Sequence, residues 1–295
     1  MTFLFTTNLD GIVAAVDGSS TADVAAAWAA HEAVLRNVTL TLVYVKPSDE
    51  AGPWIDLPTS VEYLAERDRI AEDIVERASQ HVRVVASELR DGQVKTLVRE
   101  GPKMTALIDI SKDADLMVVG CRGRGGVARL LLGSTSSALV HHSHSPVAVI
   151  HGETGAEEGD GPVVVGVDAK PASELAVAIA FDEASRRGVD LVAVHTWTNS
   201  GDFGSDVTSG DLLQQAEEEL AQRIAGWAER YPDVTVHRVV GQDNPVHALV
   251  EQSSGAQLLV VGSHGHGGFA GMLLGSVSWA VVQLASGPVI VARRS

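Results

Sequence analysis

One unit is written twice in this chain, so any fold that fits it must be built from two copies of the same motif. Ile12-Val-Ala-Ala-Val-Asp17 matches Val163-Val-Val-Gly-Val-Asp168 at an offset of 151 residues, and Asp115-Leu-Met-Val-Val-Gly120 matches Gln257-Leu-Leu-Val-Val-Gly262 at an offset of 142. The second copy is therefore nine residues shorter in its middle. The glycine-rich stretches 120–137 and 262–279 are identical at ten of eighteen positions without a gap. In a chain of 295 residues, each copy is long enough to bury a core of its own.

Within each copy, short Val/Ile/Leu runs alternate with stretches of helical apolar spacing. The runs predict strands buried on both faces at 12–17, 39–45, 94–99, 115–120 and 146–150, and again at 163–168, 190–196, 235–240, 257–262 and 288–292. The spacing predicts helices at 21–36, 60–80, 103–112 and 134–143, then at 172–187, 209–230, 245–254 and 276–285. Crossovers of that length exclude hairpins. The fold class is α/β, with two tandem doubly wound five-stranded parallel-sheet domains of Rossmann-like form. The domains span 1–152 and 163–295. Residues 153–162, small, acidic and glycine-rich, form a linker short enough for the copies to pack as a pseudo-dimer.

A formal net charge of −16 repels phosphate backbones and anionic headgroups, which argues against nucleic acid and membranes as partners. No apolar run reaches the ~18 residues of a bilayer span, and the first ten residues lack a secretion-signal pattern. The single cysteine, Cys121, excludes an intrachain disulfide and points to a reducing, cytoplasmic setting. His141, His142 and His144 lack metal-ligand spacing and align with Gln283, Leu284 and Ser286, so no metal ligands are assigned. With so few aromatics, Trp28, Trp197, Trp227 and Trp279 are expected in the core or at a domain interface, and Trp54 as a lid or partner contact.

In an open parallel sheet, ligands bind beyond the carboxyl ends of the strands, so the residues after strands one and four of each copy matter most. After strand four come Gly120-Cys-Arg-Gly123 and then Gly133-Ser134; the second copy has Gly262-Ser-His-Gly265 and Gly275-Ser276. The paired glycines permit a tight turn and close backbone approach to a ligand, and a helix start with a serine at the cap offers amides to a phosphate. Asp17 and Asp168, ending the first strands, can accept hydrogen bonds from ribose hydroxyls, an adenine amine or a magnesium-bound water; capping the following helix is their alternative use. Arg122, Arg124 and Arg129 are either phosphate contacts or solvated loop charges. Cys121 is either a small filler or a thiol with a pKa lowered by basic neighbours.

This glycine spacing, twice repeated after Val-rich strands and each time paired with a first-strand Asp, resembles the ATP-binding subgroup of the universal stress protein family. The tandem arrangement resembles the two-domain members of mycobacteria and related actinobacteria. The resemblance implies ATP with Mg2+ held between the first-strand Asp and the glycine loop, and dimer-like pairing of the last strands. It further implies a role in stress survival and growth regulation without a well-defined catalytic reaction; a homodimer and an unidentified regulatory protein partner are expected beside it. Carried over residue by residue, it places ATP in the first copy against Ala15, Val16, Asp17 and Gly18, Val45 after strand two, then Val119, Gly120, Arg122, Gly123, Arg124, Gly133, Ser134, Thr135 and Ser136. In the second copy the candidates are Gly166, Val167, Asp168, Ala169 and Thr196, then Val261, Gly262, His264, Gly265, His266, Gly275, Ser276, Val277 and Ser278.

The copies differ where Gly18-Ser19-Ser20 becomes the stiffer Ala169-Lys170-Pro171 and where Arg122 and Arg124 become His264 and His266. Histidines are mostly neutral at pH 7, which predicts weaker triphosphate binding in the second copy. The enzymatic alternative is a slow ATP hydrolase or adenylyl transferase. Against it, there is no P-loop, no pyrophosphatase loop and no general base shared by both copies besides the first-strand Asp. A pure interaction scaffold is the third reading.

Overall fold

The computed structural model describes residues 11–47, 60–122, 132–152, 160–168, 173–198, 209–263 and 274–293. Trp54, Gly123, Arg124, Arg129, Ala169, His264, Gly265, His266 and most of the expected linker lie outside the described residues. The chain divides into two compact units. The first runs β1 (Ile12–Ala15), α1 (Ser20–Arg36), β2 (Leu40–Lys46), α2 (Val61–Val85), β3 (Val94–Glu100), α3 (Lys103–Ile110), β4 (Leu116–Gly120), α4 (Ser134–His142) and β5 (Val147–Ile150). The second runs β6 (Val163–Gly166), α5 (Glu174–Arg187), β7 (Leu191–Trp197), α6 (Ser209–Arg230), β8 (Val236–Gln242), α7 (Pro245–Gln252), β9 (Leu258–Gly262), α8 (Ser276–Leu284) and β10 (Val289–Ala292).

Within each unit the strands pair in parallel, in the order β3-β2-β1-β4-β5 and β8-β7-β6-β9-β10. Helix α1 packs with α2 and α3 with α4; right-handed crossovers put these pairs on opposite faces of the sheet. The central strands are apolar and buried along their length, as double coverage requires. The outermost strands β3 and β8 differ from that expectation. Lys95, Thr96, Arg99 and Glu100 are exposed, because an edge strand has a neighbour on one side only.

Helix α1 lies close to the sheet because alanines line its buried side: Ala22, Ala25, Ala26, Ala29, Ala30 and Ala33. It starts on Ser19, whose side chain accepts the Ala22 N–H, and stops at Asn37, which adopts a left-handed φ of 52°. Trp28 is buried in it, and in the second unit Phe181 of α5 stacks with Trp227 and Tyr231 at centroid distances of 6.5 and 5.9 Å. Each first helix also buries a carboxylate. Glu32 is 1% exposed and accepts from Arg36 at 2.6 Å; Glu183 is fully buried and accepts from Arg187 at 3.0 and 3.1 Å. These two pairs occupy aligned positions. Among the described residues, no helix is long and apolar enough to cross a membrane.

Candidate functional site

Strand order reverses between β1 and β4 in the first unit and between β6 and β9 in the second. The chain lays β2 and β3 to one side of β1, then returns to add β4 and β5 on the other. Connections leaving neighbouring carboxyl ends diverge at such a point and open a crevice. The register brings Ala14 beside Val118 and Val165 beside Val260, so the segments that follow β1 and β4, and β6 and β9, emerge side by side.

Both first strands are shorter than their apolar runs. β1 ends at Ala15 and β6 at Gly166, so Asp17 and Asp168 lie two residues past the strands instead of closing them. One more ladder bond follows in each unit, from Val16 N–H to Val43 O and from Val167 N–H to Val194 O, both 2.9 Å. The same register, continued, sets Val45 beside Asp17 and Thr196 beside Asp168. Val45 and Thr196 themselves lie inside β2 and β7, not after them.

Neither aspartate is the cap residue of α1 or α5. In the first unit Asp17 Oδ1 accepts the Ser19 N–H at 3.0 Å and the Ser19 hydroxyl at 2.6 Å, while Ser19 caps α1. Asp17 orients the cap and does not supply it. The turn between them needs Gly18, whose φ of +75° disfavours any side chain. In the second unit α5 starts after Ser173, which has no side-chain cap bond and instead donates its hydroxyl to the Asp168 backbone oxygen at 3.0 Å.

The opposite corner is built identically in both units. Cys121 N–H bonds Ile150 O at 2.9 Å and Gly133 N–H bonds Cys121 O at 2.7 Å; Ser263 and Gly275 repeat this with Ala292 and Ser263 at the same two distances. Each glycine-rich excursion is thus pinched at its neck. Helices α4 and α8 then begin on Gly133 and Gly275 as caps, with no side-chain cap bond. Ser134 and Ser276 are first helical residues and not caps, a correction to the sequence reading. Uncapped first-turn amides and the positive end of the helix dipole suit an anion.

Ser136 and Ser278 are buried, and each donates its hydroxyl to a strand-end carbonyl, Gly120 O and Gly262 O, at 2.6 Å. Their hydroxyl hydrogens tie the helix start to the strand end. Ser136→Ala is expected to cost about 1–2 kcal/mol, because the Gly120 carbonyl loses its side-chain donor in a partly buried setting. Urea denaturation checks it, and Ser278→Ala is expected to match within the same range.

Sequence reasoning missed two side chains that join the corners of the first unit. Thr21 Oγ1 donates to Arg122 O, and Ser19 links Thr21 to Asp17. Asp17 and the loop neck are therefore connected by a short run of side chains. The aligned positions hold Lys170 and Ala172, so comparing the copies hid this signal. A third is His195, whose Nδ1–H donates to Val167 O at 2.8 Å beside Asp168, where the first unit has Tyr44. Gly120 explains the tight fit. A Cβ there would stand 2.6 Å from Thr21 O and 2.9 Å from Thr21 C.

The rims differ in charge. Lys46 contacts Asp68 at 2.5 Å and Glu100 at 3.2 Å, and Arg67 contacts Glu100 at 3.3 Å. The hydrogen bonds from Lys46 hold both carboxyls below the usual carboxylate range. The second unit has the uncharged Trp197 and Gln242 at the positions of Lys46 and Glu100.

The model of the universal stress protein family matches residues 9–151 and again 161–293. The chain belongs to the universal stress protein family. Relatives confirm the tandem form: a universal stress protein of Mycobacterium tuberculosis is 46% identical over 290 residues, covering 97% of both chains. One from Mycolicibacterium smegmatis is 46% identical over 292 residues, covering 96% of this chain and 97% of that one. A solved universal stress protein from Archaeoglobus fulgidus superposes with a TM-score of 0.72 at 19% identity, covering 99% of this chain and 100% of that one, a likeness of fold.

Proposed function

We propose that this universal stress protein is a nucleotide-dependent regulator that binds an adenine nucleotide, ATP with Mg2+, in each unit. The observation that carries the reading is the coincidence, in both units, of a strand-order reversal with an uncapped helix start on one side and an aspartate on the other. A phosphate chain lies against the first-turn amides at Gly133–Ser136 or Gly275–Ser278 and the backbone at Gly120 or Gly262. Asp17 and Asp168 accept from the ribose hydroxyls. The residues fit such a ligand, since the amides supply donors and Gly120 keeps side-chain bulk out of the neck.

Arg122 adds charge beside the first neck, and together with Arg124 it makes the first unit the tighter triphosphate site; His264 and His266 stand at those positions in the second. The nucleotide-bound state is read by a protein partner or by a second copy of the chain in the cytoplasm. Stress survival and growth control are the setting in which that reading makes sense for this family.

The test is mass spectrometry of what native protein releases on denaturation. An adenine nucleotide is expected at up to two per chain, with the first unit filled preferentially. Release of a different class of ligand, or an empty protein that binds no adenine nucleotide at about millimolar concentration, would sink the reading.

A further inference from the structure

One cluster of the second unit, outside the crevice, combines the donor types that hold a transition-metal ion. Asp243 follows β8 directly, and His247 and Glu251 lie four and eight positions further along α7, on one stripe of the helix. One ligand atom from each lies within 4.8 Å of the other two. We propose that Asp243, His247 and Glu251 form a solvent-open site for a divalent transition-metal ion such as zinc.

The first two ligands are held in place by their surroundings. Asp243 donates its N–H to Trp197 O at 3.1 Å, and its Oδ1 accepts the Asn244 N–H at 2.6 Å. That leaves Oδ2 facing His247 Nδ1 at 3.0 Å. Asn244 caps α7 by accepting the N–H groups of Val246 and His247, and Pro245 presets the first helical turn. The backbone carrying this pair is therefore ordered before any ion arrives.

A four-coordinate zinc ion keeps its ligand atoms about 3.4 Å apart. The Asp243–His247 pair is already near that spacing, and Glu251, exposed on a long side chain, closes the remainder by rotating its torsions. As the metal takes the Nδ1 position the proton there passes through solvent to Nε2, so the ring ligates as a neutral imidazole, and water fills the fourth position. One imidazole nitrogen with two carboxylates suits zinc, nickel or cobalt better than magnesium or calcium, which prefer all-oxygen surroundings. The duplication supplies a contrast: the aligned positions are Gly101, Thr105 and Asp109, with one carboxylate and no imidazole. The site belongs to the second unit alone.

The experiment is a calorimetric titration of zinc ion into the chelator-stripped, nucleotide-free full chain at about pH 7.5. Saturable binding is expected, with loss of one site, or affinity weakened at least about tenfold, in His247→Ala and in Glu251→Gln. Asp109→Asn in the first unit is expected to change nothing. Co2+ in place of zinc is expected to give a four-coordinate visible spectrum that His247→Ala abolishes. Equal zinc binding by wild type and His247→Ala assigns the metal to other histidines and overturns the proposal, as does no saturable binding below about 100 µM. The substituted side chains are solvent-exposed, and unchanged circular dichroism confirms that the variants fold. Nucleotide plays no part in this titration, so its outcome is independent of the crevice.

Discussion

Arg187→Met is expected to destabilise the second unit by about 3–5 kcal/mol, because it leaves the fully buried Glu183 without its cation. The two side chains meet through Nε and Nη2 of the guanidinium, and Arg187 is itself only 10% exposed, so little water can replace it. The sign with pH follows from the same charge. Losing the cation beside a buried carboxylate makes its charged form costlier in the folded variant, so the variant is penalised least in acid and increasingly as pH rises. Urea denaturation at several pH values measures this, and hydrogen exchange localises the loss to α5. The double change Glu183→Leu with Arg187→Met is expected to recover most of the stability, since an apolar pair needs no charge compensation. If the single and double variants lose equally, packing and not charge holds this helix.

Gly120→Ala is expected to cost about 3 kcal/mol, the upper end of the overpacking range, because the obstacle is the Thr21 backbone and not a side chain that can rotate away. The effect reaches the crevice as well. To make room, α1 must withdraw from the end of β4, and the Thr21 bond to Arg122 O and the placement of Ser19 against Asp17 go with it. Nucleotide affinity of the first unit is therefore expected to fall at least about tenfold, equivalent to about 1.4 kcal/mol, while the second unit is unaffected. Thermal denaturation with calorimetric titration reads both. Wild-type stability in this variant would show that the approach of α1 to the strand end is not a constraint.

Much of this architecture was legible in the residues because the two copies check each other. Apolar runs of parallel-sheet character recur at constant offsets, and each glycine-rich segment follows a Val-rich run, so both the alternation of elements and the crevice follow from pattern. The errors arose where local chemistry overrides a run. Val16 and Val167 are apolar and keep one ladder bond, yet pairing stops at Ala15 and Gly166, so hydropathy placed Asp17 and Asp168 one element too early. β3 and β8 carry enough valine and leucine to look buried, but their place at the sheet edge exposes Lys95, Thr96, Arg99 and Glu100 in one and His237, Arg238 and Gln242 in the other.

Other features leave no trace in composition or spacing. Glu32 with Arg36, and Glu183 with Arg187, have the spacing of ordinary surface ion pairs on a helix, and only packing shows that the carboxylates lie inside. Ser136 and Ser278 look like phosphate ligands in sequence, whereas their hydroxyl hydrogens hold strand-end carbonyls. Thr21 has no counterpart in the second copy, so comparing the halves could not single it out.

Calorimetric titration of ATP with Mg2+ into the full chain, alongside Asp17→Ala, Asp168→Ala and the doubly substituted protein, bears most directly on the twin crevices. Two binding events are expected for the unaltered chain, the tighter one removed by Asp17→Ala, the weaker one by Asp168→Ala, and both by the double change. Binding that persists undiminished in the double variant would contradict the account.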